Sequence, residues 1–436
     1  MSAASALRGG DGNSTKLEVS DESLKNHPKI WKWRLEWLGQ TGFEKLAGIL
    51  PGRWAFRLGE VLGGLAWYFM RERRQIVMRN LRIAFYGERD LPALRRLARD
   101  SFRRTAANLL SALHTASLPV DQVGKILSVE NPELLEKALS DSRGLVFMPS
   151  HMGNWEILTR MNRMFPPGHA SGAFYRPLNN PLLNERVVAQ REVDGTRLFS
   201  KNDSLHNVTG FLREGSLIGI LADQRVGMQG EPVRFFGRLT RASPLPSLMA
   251  RRSKSAVLTM SLITDPPGRW RVIYHPVDRP LKTADCMRSL EIAMKASPVD
   301  VFWLQERWKV YINRRRTIRE WLGPDPCGEG KPHRALLWLS GAPADWRLPK
   351  EWTHPDVIYE IVLAPGQARP SWSTGEEIIH TAPVTNDRRK LGKSLVAIDE
   401  SHALPVDYIL TAAASETLKK ASDRESIPLV SLPHPS

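Results

Sequence analysis

The chain has 436 residues, 42% of them hydrophobic and 25% charged, a globular composition with room for two or three domains. Its two cysteines, Cys286 and Cys327, exclude a disulfide framework and a cysteine-based metal site, which fits a reducing compartment. The net charge of +16 calls for an anionic partner: nucleic acid, an anionic membrane surface, a phosphorylated substrate or an acidic protein.

Residues 1–30 lack the apolar core of a signal peptide and read as a disordered tail. Residues 31–118 read as a helical, basic, membrane-associated region. Its most apolar stretch, WAFRLGEVLGGLAWYFM at 54–70, is interrupted by Arg57 and Glu60 and is short of the roughly 20 apolar residues a spanning helix needs. Five of the 14 tryptophans lie between Trp31 and Trp67, and the following segment, 71–104, carries eleven arginines against four acids. Such a pair suits helices lying on an anionic leaflet. An ordinary buried helix with a solvated basic neighbour has the same composition.

From 119 to 322 short apolar runs alternate with helix-like segments, which predicts an α/β layer with a mainly parallel sheet flanked by helices. GLVFMPS, SGAFYRP, TRLFS and SLIGILADQR read as strands; NPLLNERVVAQREVDG and SLHNVTGFLREG read as helices ending at Gly195 and Gly215. AVLTMSLI and RWRVIYHPV read as two strands joined at Asp265-Pro266-Pro267-Gly268. A last helix is expected from about Thr283, broken at Pro298, through VFWLQERWKVYI. The charge then changes sign: residues 1–322 hold 50 basic and 31 acidic side chains, residues 323–436 hold 12 and 15. WLGPDPCGEGKPHR marks the boundary. Beyond it ALLWLSG, VIYEIVLA, EEIIHTA, SLVAID and DYILTA are candidate strands and SETLKKASDRE a helix, the makings of a small C-terminal α/β domain.

Chemistry concentrates at GLVFMPSHMGNWEI, residues 144–157. His151 ends a strand, where a side chain faces an open site. Glu156, on the first turn of the next helix, is close enough to hold the imidazole in one tautomer and stabilise its protonated form. Gly153 allows close approach of a ligand to the backbone, Asn154 is a candidate N-cap, and free N–H groups at the helix start suit a developing oxyanion. No Ser or Cys in this stretch is spaced as an obvious enzyme nucleophile, although Ser150 adjoins His151, so a substrate hydroxyl is the favoured group to be activated. The bland alternative is a core histidine hydrogen-bonded to a carboxylate. Spacing does not decide between them, because the same His-x4-acid pattern recurs at His402 and Asp407, around Pro405. Arg176 and Asp223 also fall at strand ends; Arg176 suits a phosphate or carboxylate, and Asp223 suits orienting Arg176 or a substrate hydroxyl, or simply capping a turn. PVRFFGRLTRASP, aromatic and basic, suits an apolar chain with a charged head nearby.

Taken together, SHMGNWE, FYRPLNNP, GSLIGILADQ, FFGR, RRQIVMRNLRIAF and FWLQERWK resemble, over about residues 45–315, the late acyltransferases of lipid A biosynthesis within the lysophospholipid acyltransferase superfamily. The resemblance implies an acyltransferase of α/β fold that moves a fatty acyl group from acyl carrier protein, or another thioester donor, to a hydroxyl of a lipid A precursor. It implies His151 as general base with Glu156 as its partner, and Arg176, Asp223 and Gln224 as substrate-site residues, to which Asn154, inside the motif, is added as a candidate. Its implied partners are acyl carrier protein, a phosphorylated lipid acceptor and the cytoplasmic face of the inner membrane; it implies no metal, cofactor or nucleic acid. Two departures stand out: Glu306 in LQERWK, where family members often carry a further basic residue, and the tail after 323. Acylation of another membrane lipid, a basic nucleic-acid-binding protein and a silent membrane scaffold are the competing readings.

Overall fold

A computed structural model describes residues 27–200, 202–323, 330–343, 345–373, 376–412 and 414–432. Most of the expected N-terminal tail, and residues 324–329 of the boundary segment with Cys327, lie outside the described residues. The N-terminal third is helical as expected: α1 (Ile30–Ile49), α2 (Gly52–Phe69), α3 (Arg71–Ala84) and α4 (Leu91–Ala116). Asp90 caps α4 by accepting from the Ala93 N–H. Gly59 and Gly63, one turn apart on α2, lie against α4, where an added Cβ would come within 2.4 Å of the Ala107 Cα and of the Phe102 carbonyl oxygen respectively. Small residues thus set a close crossing, while Trp54, Leu58, Val61, Leu62 and Leu65 of α2 are left exposed. No helix among the described residues is long and apolar enough to cross a membrane.

After α5 (Val120–Ile126), β1 (Leu127–Val129) and α6 (Pro132–Ser140) comes β2 (Leu145–Pro149), buried at every residue as a central strand covered on both faces must be. There follow a 3₁₀ helix (Trp155–Met164), β3 (Ser171–Phe174), α7 (Pro181–Glu192), β4 (Arg197–Phe199), α8 (Leu205–Arg213) and β5 (Leu217–Gly219). Next come the hairpin β6 (Glu231–Phe235) and β7 (Arg238–Ala242), α9 (Leu245–Ser253), β8 (Ala256–Thr264), β9 (Trp270–Pro276), α10 (Thr283–Lys295) and α11 (Ile318–Leu322). The main sheet has seven strands in the order β1-β9-β8-β2-β5-β3-β4, parallel at every pairing except β8 with β9.

Three local expectations need correction. The strand expected over SLIGILADQR stops at Gly219, and Ile220 to Arg225 form a loop beyond the sheet. VFWLQERWKVYI is not helical, because its backbone is engaged elsewhere: Met152 pairs with Val301, and the Asn80 amide takes the carbonyls of Trp303 and Gln305. The aromatic pair of PVRFFGRLTRASP does not face an open surface. Phe235 and Phe236 are buried in the hairpin and pack on Trp308 and Trp303.

Residues beyond 330 build a second sheet of five parallel strands, β10 (His333–Trp338), β11 (Val357–Leu363), β12 (Ile379–Thr381), β13 (Tyr408–Thr411) and β14 (Leu429–Ser431), in the order β12-β11-β10-β13-β14. The expected strand SLVAID lies instead inside α12 (Arg388–Glu400), whose buried Leu391, Leu395 and Ile398 recur at helical spacing; α13 (Glu416–Arg424) sits where a helix is expected. This C-terminal unit docks on the arginine-rich segment. Arg71 donates to Glu425 (2.9 and 3.0 Å), and Arg82 to the Asp399 carboxylate and to the carbonyls of Ala403 (3.0 Å) and His402 (2.7 Å). Arg79 and the fully buried Arg238 both reach Asp407. Part of the basic segment's charge is therefore met inside the chain, and the His402–Asp407 spacing belongs to this joint.

Candidate active site

β2 and β5 are neighbours in the sheet, so the loops leaving their carboxyl ends meet. His151 is two residues beyond β2, and Asp223 four residues beyond β5. The His151 Nδ1 lies 2.7 Å from Oδ1 of Asp223, whose Oδ2 accepts from the His151 N–H (3.2 Å) and from the Gln305 amide (3.0 Å). Asp223 is fully buried, while the His151 side chain keeps 16% exposure. Burial opposes charge on His151, but Asp223, by charge and hydrogen bond, and more weakly Glu156, raise its pKa above the ordinary imidazole value. Burial likewise opposes ionisation of Asp223, and His151 with the hydrogen bonds to it holds that carboxyl below its usual range. An anion at Nδ1 keeps the proton there and leaves the Nε2 lone pair outward. Nε2 lies 3.2 Å from the Gln224 side-chain amide, a donor that the Nδ1–H tautomer satisfies.

The partner expected for the imidazole, Glu156, is differently engaged. Its carboxylate is held bidentately by Arg191 of α7 (2.9 and 2.8 Å) and accepts from the Trp155 indole (3.2 Å). The chain turns away after His151: Gly153 adopts φ +57°, and its N–H is spent on the Asp300 carbonyl (2.9 Å). An added Cβ at Gly153 would lie 2.4 Å from the Leu262 carbonyl oxygen, so this glycine serves a core contact rather than the approach of a ligand. Asn154 makes no N-cap hydrogen bond. It is 1% exposed and donates to Thr115 Oγ1 (2.9 Å), a structural position rather than a substrate contact.

His151 opens on a cleft of about 940 Å³, walled by Phe147, Leu158, Met161 and Met260 among others and bordered by Glu156, Arg176, Arg191 and Gln224. Its size and largely apolar lining suit an extended hydrocarbon with a few polar contacts. Arg176, just past β3, is exposed on the rim and has no ion-pair partner among the described residues. Of the residues singled out from sequence, the fold brings His151, Glu156, Arg176 and Gln224 to one cleft, places Asp223 beneath it as the imidazole's anchor, and puts Asn154 in the core. Gln305 went unassigned from sequence, although it lies in the FWLQERWK block.

Comparison with known proteins covers the same stretch of the chain. The family model described as bacterial lipid A biosynthesis acyltransferase matches residues 21–310, which include all six candidate positions. The chain is 24% identical over 292 residues to a lipid A biosynthesis palmitoleoyltransferase of Escherichia coli (strain K12), covering 65% of this chain and 92% of that protein. It is equally similar, at 24% over 292 residues and the same shares of each chain, to a lipid A biosynthesis acyltransferase of Shigella flexneri. A lipid A biosynthesis lauroyltransferase of E. coli (strain K12) is 26% identical over 293 residues, 65% of this chain and 93% of that protein.

Proposed function

The chain belongs to the bacterial lipid A biosynthesis acyltransferase family, and on that premise we propose that it moves a fatty acyl group from the thioester of acyl carrier protein to a hydroxyl of a lipid A precursor. The observation that carries this reading is the 2.7 Å contact to a buried carboxylate from Nδ1 of His151, which itself lines a large, mostly apolar cleft. The acceptor hydroxyl takes the place of the Gln224 amide at His151 Nε2. Its proton passes to Nε2 as its oxygen bonds to the thioester carbonyl carbon. The carbonyl electron pair moves to oxygen and returns as the C–S bond breaks. The departing sulfur receives the proton from Nε2, leaving an ester, a free thiol and neutral His151. Asp223 orients the ring and stabilises the imidazolium; Glu156 adds its charge from farther away while holding Arg191 at the rim. Arg176 supplies the cation for an acceptor phosphate.

The same reading puts the protein on a bilayer surface. Trp31, Leu35, Leu46 and Ile49 of α1 and Val61 and Leu65 of α2 are all more than half exposed. Exposed apolar residues on two successive helices, followed by an arginine-rich segment, fit interfacial insertion. Leu65→Glu is expected to lower binding to anionic phospholipid vesicles by about tenfold or more; unchanged vesicle flotation contradicts this placement. For the substrate, mass spectrometry of lipids from cells with and without the protein is the test. A lipid A lacking one acyl chain in its absence is expected, whereas unchanged lipid A with a loss in another lipid class moves the acceptor elsewhere.

A further inference from the structure

The C-terminal unit takes no part in the chemistry above, yet it grips the helix on which the catalytic loop is hung. On α3 the buried Asn80 donates through its amide to the carbonyls of Trp303 (2.8 Å) and Gln305 (2.6 Å), fixing that loop. Gln305 in turn donates to Oδ2 of Asp223 (3.0 Å), the oxygen not used by the imidazole. A buried carboxylate holds its rotamer only while its lone pairs are met. Without Gln305, Oδ2 keeps only the 3.2 Å contact from the His151 backbone.

The residues beside Asn80 engage the C-terminal unit. Arg79 binds the carbonyl of Val406 and the Asp407 carboxylate. Arg82 binds the Asp399 carboxylate and four carbonyls, those of Asp399, His402, Ala403 and Leu404. Next to this grip lies a cavity of about 340 Å³, bordered by Met78, Trp308 and Leu395. One turn of α3 therefore joins the C-terminal unit to the loop that steadies the Asp223 carboxylate.

We propose that Gln305 is a positioning residue for the Asp223–His151 pair, and that the C-terminal unit holds Gln305 in place by gripping α3 through Arg79 and Arg82. The proposal rests on His151 being the general base, and the test separates the two. In acyl-transfer kinetics on the full-length protein, Gln305→Leu is expected to lower kcat about 10- to 100-fold, the worth of one hydrogen bond to a charged group, with KM within about twofold. In an Asp223→Asn background the same change should cost less than about threefold, because its effect runs through that carboxylate. Gln305→His, which keeps a donor, should recover part of the loss. Asp399→Asn, which weakens the grip at the far side of α3, should lower kcat severalfold in the wild-type background and not in Gln305→Leu. Wild-type kcat in Gln305→Leu, or a full loss retained on top of Asp223→Asn, overturns the positioning role. Wild-type kcat in both Asp399→Asn and Arg82→Met overturns the part given to the C-terminal unit. Should Gln305→Leu not fold, Gln305→Asn, one methylene short of Asp223, is read in its place with the same outcomes. Activity surviving in His151→Ala would instead refute the underlying assignment.

Discussion

Asp223→Asn keeps the shape of a fully buried side chain and removes its charge. In the wild type both carboxylate oxygens accept, one from the ring Nδ1 and the other from the His151 N–H and the Gln305 amide. An asparagine has one acceptor and one NH₂, so either the ring or the pair of N–H donors meets a donor. The larger loss is electrostatic. With the carboxylate and imidazolium charges about 4 Å apart and an effective dielectric of about 20, the attraction is about 4 kcal/mol, or about three decades in rate if it is expressed fully as the imidazolium forms. The assay is initial-rate thiol release from an acyl thioester with a lipid A precursor, followed across neutral pH. Since the base must be neutral to act, the raised pKa of His151 places the acid limb of kcat/KM above the ordinary imidazole value of 6.5, with activity rising as pH rises through it. In Asp223→Asn burial acts with less opposition, so that limb should move to lower pH while kcat falls about 10³-fold. A well-folded Asp223→Asn with wild-type kcat and an unmoved limb would refute the assignment of Asp223 as anchor.

Three other outcomes follow from the same geometry. Glu156→Gln, whose wild-type carboxylate is taken up by Arg191, should cost at least about tenfold less in kcat than Asp223→Asn, by the difference between a direct and a more distant charge; the opposite ranking in parallel kinetics would restore Glu156 as the principal partner. Arg176→Ala should raise acceptor KM about tenfold with kcat little changed, the worth of one charge-assisted hydrogen bond, and its melting temperature should match wild type. Glu291 on α10 has its pKa pushed up from 4.5 to about 7 by burial, with Lys295 and Lys331 acting the other way. The folded chain then holds a proton that the unfolded chain releases between those values, so stability is lost as pH rises through that window. Glu291→Gln should remove this loss and stabilise the protein above pH 7 by about 2 kcal/mol, discounted for partial exposure; pH-independent unfolding of the wild type would contradict it.

The sequence marks His151, Arg176 and Asp223 as strand-end residues because apolar runs and their terminators are local signals. What it hides is which strands are neighbours. His151 and Asp223 lie 72 residues apart and meet only because β2 and β5 are adjacent in the sheet, and sheet order is a property of the packed layer. Glu156 is five residues from His151, which makes it the natural partner on paper; the left-handed turn at Gly153 and the bidentate hold of Arg191 send it elsewhere. FWLQERWK carries helix-forming residues, but Asn80 takes two of its carbonyls from the other end of the domain, and no window on that segment reports this. SLVAID is a short apolar run that suits a strand alone and a helix once Leu391 is counted with it. The arginines of 71–104 announce a need for anions without saying where; several of those anions are Asp399, Asp407 and Glu425.

The proposed chemistry requires His151 Nε2 to accept the proton of the incoming hydroxyl. Rapid-mixing acyl transfer from acyl carrier protein to a lipid A precursor by His151→Ala, with product read as the mass gain of one acyl chain, tests it most directly. Turnover is expected to fall at least about 10²–10⁴-fold with donor and acceptor binding retained; transfer at the wild-type rate by a folded His151→Ala protein would contradict this role.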